Sequence, residues 1–465
     1  MDVLNIFRDD VIAAISTPMG SGGIGIVRLS GKGADAVAGR IVRARSGQRV
    51  EDFESGHLVY GDCVDPSTGD KVDEVLVSLM RAPKTYTRED VVEINCHGGP
   101  LMMRRILELT LEAGARLAEP GEFTERAFLN GRIDLSQAEA VMDIIDAKTE
   151  KSLAYSVGQL SGVLSQKYNR MDETLLHLLT YIEAAIDYPE YDVEEVTDQT
   201  LEENLTDLMA QVETLLTSAR MGKIYRDGVD TVILGEPNVG KSSLLNRLID
   251  EDKALVTDIP GTTRDMVEEY INIKGIPFHI MDTAGIRQTD NVVEKMGVDK
   301  AMDLVDKADL ILFITDVSRE TSEDEKRLEQ RMAGKTVIRI RNKIDLAKDD
   351  DVDVNPGSGQ EGAVSISVKE DVGIGELEQA MADAVMAGEP DSPADTVVSN
   401  TRHIVLLKKV RDDLTSASQG LAAGMTVDLI AIDLKNALDH LREITGKSVG
   451  SDIIDSIFAN FCLGK

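Results

Sequence analysis

Three glycine- and acid-bearing stretches carry residues whose types and spacing suit phosphate chemistry. Gly235-Glu-Pro-Asn-Val-Gly240-Lys241-Ser242 has the spacing G-x-x-x-x-G-K-[ST] between a β-branched run, Thr231–Leu234, and a helix that opens at Ser243. In such a loop the backbone N–H groups of Asn238, Val239, Gly240 and their neighbours curl around a phosphate, and the helix N-terminus adds its positive end. Lys241 sets a point charge against the β- and γ-phosphates, and the Ser242 hydroxyl is placed to ligate Mg²⁺, with Ser243 beside it. Asp282-Thr283-Ala284-Gly285 offers a carboxylate that reaches Mg²⁺ through water and a glycine N–H that senses the γ-phosphate. Asn342-Lys343-Ile344-Asp345 ends in a carboxylate that can accept both N–H groups of guanine, an edge adenine lacks, and Ser367-Val368-Lys369 would support the base.

These stretches need a scaffold that gathers them. The spacing predicts strands at Thr231–Leu234, Glu268–Ile273, Phe278–Met281, Leu310–Ile314, Val337–Ile340 and Ala363–Ile366, alternating with helices as in a doubly wound α/β domain. Each motif then falls at a strand's C-terminal end, where such sheets bind ligands. Ahead of this region, residues 1 to about 125 mix helix with strands at Ile12–Thr17, Gly23–Leu29, Glu74–Met80 and Asp90–Cys96, and Gly99-Pro100 opens a helix over Leu101–Ala113. From Ser136-Gln-Ala-Glu139, which reads as a capping box, the pattern is helical to about Arg220, with Pro189 expected to end or kink a helix. Residues from about 400 to 460 are helical again. The nucleotide region is therefore expected as an insertion into one helical domain made from both blocks, returning through Gly388-Glu-Pro-Asp-Ser-Pro-Ala. The divisions are 1–126, 127–227, 228–388 and 389–465.

The 465 residues carry 50 Lys and Arg against 83 Asp and Glu, a formal charge of −33, so counterion release alone gives the chain little hold on nucleic acid. If RNA is a substrate, a basic partner or a local patch must supply the grip. No apolar run approaches the ~20 residues of a membrane span, and no secretory signal is visible. Cys63, Cys96 and Cys462 lie far apart without metal spacing, which fits a reducing cytoplasm.

Taken together, the phosphate loop, D-T-A-G and N-K-x-D resemble the TRAFAC-class GTPases. Ras-like members carry glutamine directly after D-T-A-G to orient water; Ile286 stands there in this chain, and an apolar side chain cannot do so. Within the class the chain is similar to the family of tRNA-modification GTPases, whose switch loop resembles Thr257-Asp258-Ile259-Pro260-Gly261-Thr262-Thr263-Arg-Asp265. The resemblance implies a K⁺ ion held by Asn238, Thr257, the Ile259 carbonyl and Thr262, acting where an arginine finger otherwise would. It also implies that Thr263 joins Ser242 on Mg²⁺ and that Glu294 orients the attacking water. Arg287 reads as a surface ion pair, with an internal arginine finger as the other reading.

The same resemblance reaches both ends of the chain. Gly22-Gly-Ile-Gly-Ile-Val-Arg28-Leu-Ser-Gly, Tyr86-Thr-Arg-Glu-Asp-Val-Val-Glu93, His97-Gly-Gly and Pro120-Gly-Glu-Phe-Thr-Glu-Arg126 look like the family's folate-binding N-terminal domain, apart from Arg88, where glycine is commoner. It implies that Arg28, Glu93, Arg126 and Lys465 hold a tetrahydrofolate derivative (5-formyl- or 5,10-methylene-), with pterin and glutamate ends unassigned. Cys462 in Phe461-Cys-Leu-Gly-Lys465 corresponds to the family's functional thiol, and His97 reads as a structural strand-end histidine. The implied architecture is multidomain: an α+β N-terminal folate-binding domain, a discontinuous α-helical domain and an inserted Ras-like α/β GTPase domain. The implied assembly is a homodimer that works on tRNA with the FAD-containing partner MnmG, in a heterotetramer or larger complex. Two competitors stand beside this reading. A ribosome-assembly GTPase of the Era or Der kind would need neither the folate-like motifs nor the cysteine tail, and a stand-alone folate-dependent methyltransferase would not need the nucleotide motifs.

Overall fold

Strands Ile12–Ile15 (β1), Ile24–Ser30 (β2), Val42–Ala44 (β3), Leu58–Val64 (β4), Lys71–Met80 (β5), Val91–His97 (β6) and Arg116–Leu117 (β7) form one sheet, in the order β3-β4-β5-β6-β2-β1-β7. Every neighbouring pair is antiparallel except β1 with β7. Alternation along β2 and β6 sends Val27, Leu29, Ile94 and Cys96 into the core, and leaves Arg28 and Glu93 facing each other on the opposite surface. Helices Ala34–Ile41 (α1) and Pro100–Glu112 (α2) cover the core face with Val37, Ile41, Met103 and Ile106. As expected, Pro100 opens α2, where its missing N–H costs nothing.

The computed structural model describes residues 10–187, 198–249, 254–255, 269–281, 304–319, 322–347, 363–386 and 397–465. The chain divides into two units, Met1–Met142 with Leu160–Tyr191 and Ala431–Lys465, and Asp143–Gln159 with Asp192–Ile430. Each unit draws helices from both helical stretches of the sequence. In the first, Asp172 of helix Val163–Asp187 (α6) pairs with Arg442 at 2.7 Å. In the second, helix Asp198–Asp227 (α7) packs along helix Thr401–Ala422. The helical part is thus discontinuous, interrupted by the α/β domain. The described part of α6 reaches Asp187, and Pro189, expected to end or kink a helix, lies outside the described residues.

The expected capping box at Ser136–Glu139 lies elsewhere. Helix Leu135–Ile145 (α4) is capped by Asp134: its Oδ1 accepts from the Gln137 N–H at 2.9 Å, and Gln137 Oε1 accepts from the Asp134 N–H at 3.0 Å. A carboxylate caps as well as a hydroxyl, and the reciprocal partner three residues on is an amide rather than a glutamate.

The α/β domain has a seven-stranded sheet in the order β14-β13-β12-β8-β11-β10-β9. Its strands are Val229–Leu234 (β8), Ala254–Leu255 (β9), Glu269–Ile273 (β10), Ile276–Ile280 (β11), Leu310–Asp316 (β12), Val337–Asn342 (β13) and Ala363–Ser365 (β14). From β14 to β11 the strands run parallel; β10 and β9 are antiparallel additions at one edge. Leu310–Ile314 is buried throughout, as parallel strands covered on both faces require. Helices Lys241–Leu248 (α8) and Ile374–Met386 pack Leu244, Leu248, Leu377 and Met381 against Ile233, Phe278 and Ile340. The strands expected in this domain therefore all form, each end within two residues of the expected one.

Candidate functional site

The phosphate loop runs out of β8 into α8, and its backbone follows the residue types. Asn238 (φ 65°) and Gly240 (φ 107°) take left-handed conformations, which asparagine tolerates and glycine adopts freely. A Cβ on Gly240 would overlap Asn342 Nδ2. That side chain, buried at the end of β13, donates to the Val239 carbonyl at 2.8 Å, while its Oδ1 accepts from the Val368 N–H at 3.3 Å. One asparagine thus ties the phosphate loop to the Ser367–Lys369 loop. Ser367, buried, donates to Asp345 Oδ1 at 2.6 Å and fixes a carboxylate whose residue is otherwise exposed. The phosphate loop, Asn342–Asp345 and Ser367–Lys369 meet at the sheet's C-terminal edge.

Lys241 Nζ donates to the carbonyls of Gly235 and Glu236 at 2.8 and 2.7 Å. Burial pushes its ammonium below the ordinary lysine value, and Glu236 only partly offsets this. A desolvated cation against a curl of backbone donors suits a polyphosphate. Lys343 (φ 66°) is held across the loop: its Nζ donates to the Asn238 carbonyl at 2.8 Å and to Asp316 Oδ2 at 2.6 Å.

Asp316 was not among the expected site residues. It ends β12 and is 7% exposed. Burial alone would raise its carboxyl, but Lys343, the Ser318 hydroxyl and the Ser318 N–H hold it well below the usual carboxylate range. Arg319 extends the cluster, with Nε 3.2 Å from Asp316 and Nη2 3.4 Å from the Pro237 carbonyl. The available signal was an apolar strand, Leu310-Ile-Leu-Phe-Ile-Thr-Asp316, ending on an acid at the ligand edge, since a buried charge there must have a partner.

Thr257, Asp258, Ile259, Pro260, Gly261, Thr262, Thr263, Asp282, Thr283, Ala284, Gly285 and Glu294 lie outside the described residues, as do Ile286 and Arg287.

In the N-terminal unit the structure brings together Arg28, Glu93 and the end of the chain. Arg28 Nε donates to Glu93 Oε1 at 2.9 Å across β2 and β6, and Arg28 Nη1 donates to the Gly464 carbonyl at 3.3 Å. Ser16 Oγ donates to the same carbonyl at 3.1 Å, and the Phe123 N–H donates to the Lys465 carbonyl at 3.2 Å. Gly464 is left-handed (φ 88°), and a Cβ there would strike the Ile15 carbonyl. Phe458 and Phe461 are buried, whereas Cys462 is exposed. Burial raises the other two thiols, Cys63 to about 12 and Cys96 to about 11, and makes them inert.

Arg126 has a different setting. It is 7% exposed, and Asp10, Glu122 and Glu89 surround its guanidinium at 2.7, 3.0 and 3.2 Å. Arg116 closes the cluster on Glu122 at 2.6 Å and Asp10 at 2.7 Å. His97 Nδ1 lies 2.7 Å from Asp73 Oδ1, which matches the structural reading of that histidine. Arg88 sits at φ 59°, so its position does favour glycine, and its Nη1 donates to the Asn130 carbonyl at 2.9 Å.

The profile described as GTP-binding protein TrmE N-terminus matches residues 11–132, and the one described as MnmE helical domain matches residues 135–462. The protein named tRNA modification GTPase MnmE in Geobacillus kaustophilus (strain HTA426) is 51% identical over 458 residues, 98% of this chain and 99% of its own. The protein of the same name in Bacillus subtilis (strain 168) is 48% identical, over 98% of this chain and all of its own length. This chain belongs to the MnmE family. As an MnmE-family chain it combines a TrmE-type N-terminal domain, a discontinuous helical domain and an inserted Ras-like α/β GTPase domain. Among the described residues no helix is long and apolar enough to cross a membrane, and no cluster of three His, Cys, Asp or Glu side chains forms a metal cage.

Proposed function

We propose that this chain hydrolyses GTP and, with an FAD-containing MnmG-type partner, modifies C5 of the wobble uridine (position 34) of certain tRNAs to aminomethyl or carboxymethylaminomethyl forms. A tetrahydrofolate derivative serves as the one-carbon source. The observation that carries this reading is the coexistence, in a chain matching MnmE relatives end to end, of two separate sites. One is a guanine-type phosphate loop knotted by Asn342; the other is an Arg28–Glu93 pair closed by Gly464.

At the nucleotide site, Val239, Gly240 and Lys241 bind the phosphates, Asp345 takes the guanine N–H groups, and Lys343 braces the loop from Asp316. Ser242 with Thr263 fits Mg²⁺, and Asn238 with Thr257, Ile259 and Thr262 supplies the neutral oxygens that suit K⁺; bound together, the two ions offset charge building on the transferred phosphoryl group. Asn238 is exposed in a left-handed turn, which leaves its carboxamide available to such an ion. Glu294 orients the water that attacks the γ-phosphorus. The bond to the β-phosphate oxygen breaks, leaving GDP, phosphate and a proton. At the N-terminal site, arginine suits the glutamate carboxylates of a folate and the Glu93 carboxylate suits the pterin's amino and ring N–H groups, with Arg28 and Lys465 alongside. Arg126, held within its cage of acids, belongs to the same folate-binding set, and the exposed Cys462 stands as the functional thiol. The divisions 1–126, 127–227, 228–388 and 389–465, homodimerisation through the N-terminal domains, and a cytoplasmic setting belong to the same proposal.

Nucleoside analysis of tRNA from cells lacking this protein tests the reading. The C5-modified wobble uridines should disappear, and an unchanged profile would reject it. GTP turnover should rise sharply in K⁺ over Na⁺; equal rates remove the K⁺ assignment while leaving the tRNA reading standing.

A further inference from the structure

We propose that the groove between α7 and helix Thr401–Ala422 binds the phosphodiester backbone of RNA. This rests on tRNA being the substrate. The groove has a volume of about 480 Å³ and is lined by Arg220, Lys223, Lys408 and Arg411, with Glu213 as its one acidic residue. The whole chain has 50 basic residues to 83 acidic ones, so four cations to one anion in nine lining positions reverses the local balance.

The helices place the charges deliberately. Along α7 the acids Glu202, Glu203, Asp207 and Glu213 come first, and Arg220 and Lys223 follow about one turn apart. Cations near a helix C-terminus also serve the helix dipole, which accounts for part of this segregation. It does not account for Lys408 and Arg411, which sit in the middle of a 22-residue helix. Lys223 and Lys408 are exposed and, among the described residues, have no hydrogen-bond or ion-pair partner. Among the described residues Arg411 meets only its neighbour Asp412, at 2.9 Å.

The lining also selects the class of anion. The groove floor is aliphatic, with Leu216 and Ile404, and no aromatic side chain lines it. A protein-binding hot spot would carry aromatic anchors, and a base-reading site would offer a stacking platform. Cationic walls without either suit sugar-phosphate backbone, which is gripped without reading sequence. The groove thereby supplies the local basic patch that an otherwise repelling chain needs.

The test measures binding of unmodified, fluorescently labelled tRNA to the full chain, with and without its FAD-containing partner, across a salt series. The double variant Lys223→Gln/Lys408→Gln should weaken binding on the order of tenfold and flatten the slope of log K against log salt by about 1 per lysine. The loss should be equal for unrelated tRNA sequences. The charge-conserving Lys223→Arg/Lys408→Arg pair should bind like the unaltered chain, and GTP hydrolysis without RNA should be unchanged in both. An unaltered affinity and slope in the glutamine pair overturns the assignment alone, and leaves the groove to an acidic protein segment. Absence of salt-dependent binding by the unaltered chain, alone or with its partner, overturns the tRNA reading as well.

Discussion

At the nucleotide site the described anchoring residues follow β8, β12, β13 and β14, four parallel strands that lie side by side with their C-terminal ends at one edge. At the N-terminal site, by contrast, Arg28 meets Glu93 from 65 positions away and Gly464 from 436 positions away. The difference lies in topology. A parallel α/β sheet collects loop motifs at one edge wherever they stand in the sequence. An antiparallel sheet face has no such edge, so its site depends on register between β2 and β6 and on the docking of a distant tail. The nucleotide site should therefore fail residue by residue, and the N-terminal site as an assembly.

The largest effect should come from Lys241→Ala, which removes the desolvated cation. GTP turnover should fall by roughly 100-fold or more, as for loss of a charge aimed at a transition state. Folate binding, measured in the same preparation, should hold; parallel loss of both would break the comparison. Asp345→Ala should lower GTP affinity by about 100-fold, because a site built to hydrogen-bond its ligand discriminates strongly through those bonds. Glu294→Ala should retain GTP binding but slow single-turnover hydrolysis by about 100-fold or more; normal turnover removes its role.

Smaller effects probe the supports. In Asp316→Asn, Lys343 loses its ion pair, and GTP affinity should drop about tenfold. The pH dependence has a definite sign. Asp316 is held below its unfolded value, so its stabilisation is complete above about pH 4 and is lost as pH falls through the lowered folded value. An acid-unfolding titration should accordingly show wild type losing its advantage over the variant only below about pH 4. Smallest in free energy, Gly464→Ala should cost roughly 1–2 kcal/mol, from the left-handed backbone and the meeting with Ile15. Its readout is hydrogen exchange: the Phe123 and Gly121 amides, which donate to Lys465 and Cys462, should lose protection while the nucleotide domain stays unchanged.

Legibility in the sequence follows the same division. Asn342, Asp345, Ser367 and Lys241 were readable because each belongs to a short motif with a fixed partner type, and β8, β12 and β13 were readable as apolar runs. β3, β4 and α1 were not, since Val42–Ala44 is short and Leu58 and Tyr60 leave apolar side chains exposed on the sheet's outer face. Asp316 was missed because a single acid at a strand end carries no motif. Ser16, and the pairing of Arg126 with Asp10, were missed because no spacing rule links residues more than 100 positions apart, whereas Glu122, four positions ahead of Arg126 on one helix, was within reach of one. Asp134 was passed over for Ser136 because both are good cap residues, and only backbone geometry chooses between them.

The clasp of Gly464 on Ser16 and Arg28 also has a consequence for biosynthesis. The 436 positions that separate it from Arg28 take on the order of 20–90 s to translate at roughly 5–20 residues per second. During that interval β1 and β2 wait without the segment that closes over them, while the entire nucleotide domain has left the ribosome. A nascent chain halted short of Gly464 would thus carry a finished α/β domain while the Arg28–Glu93 pair still lacked its closing carbonyl. The order of synthesis makes the motor ready before the tool.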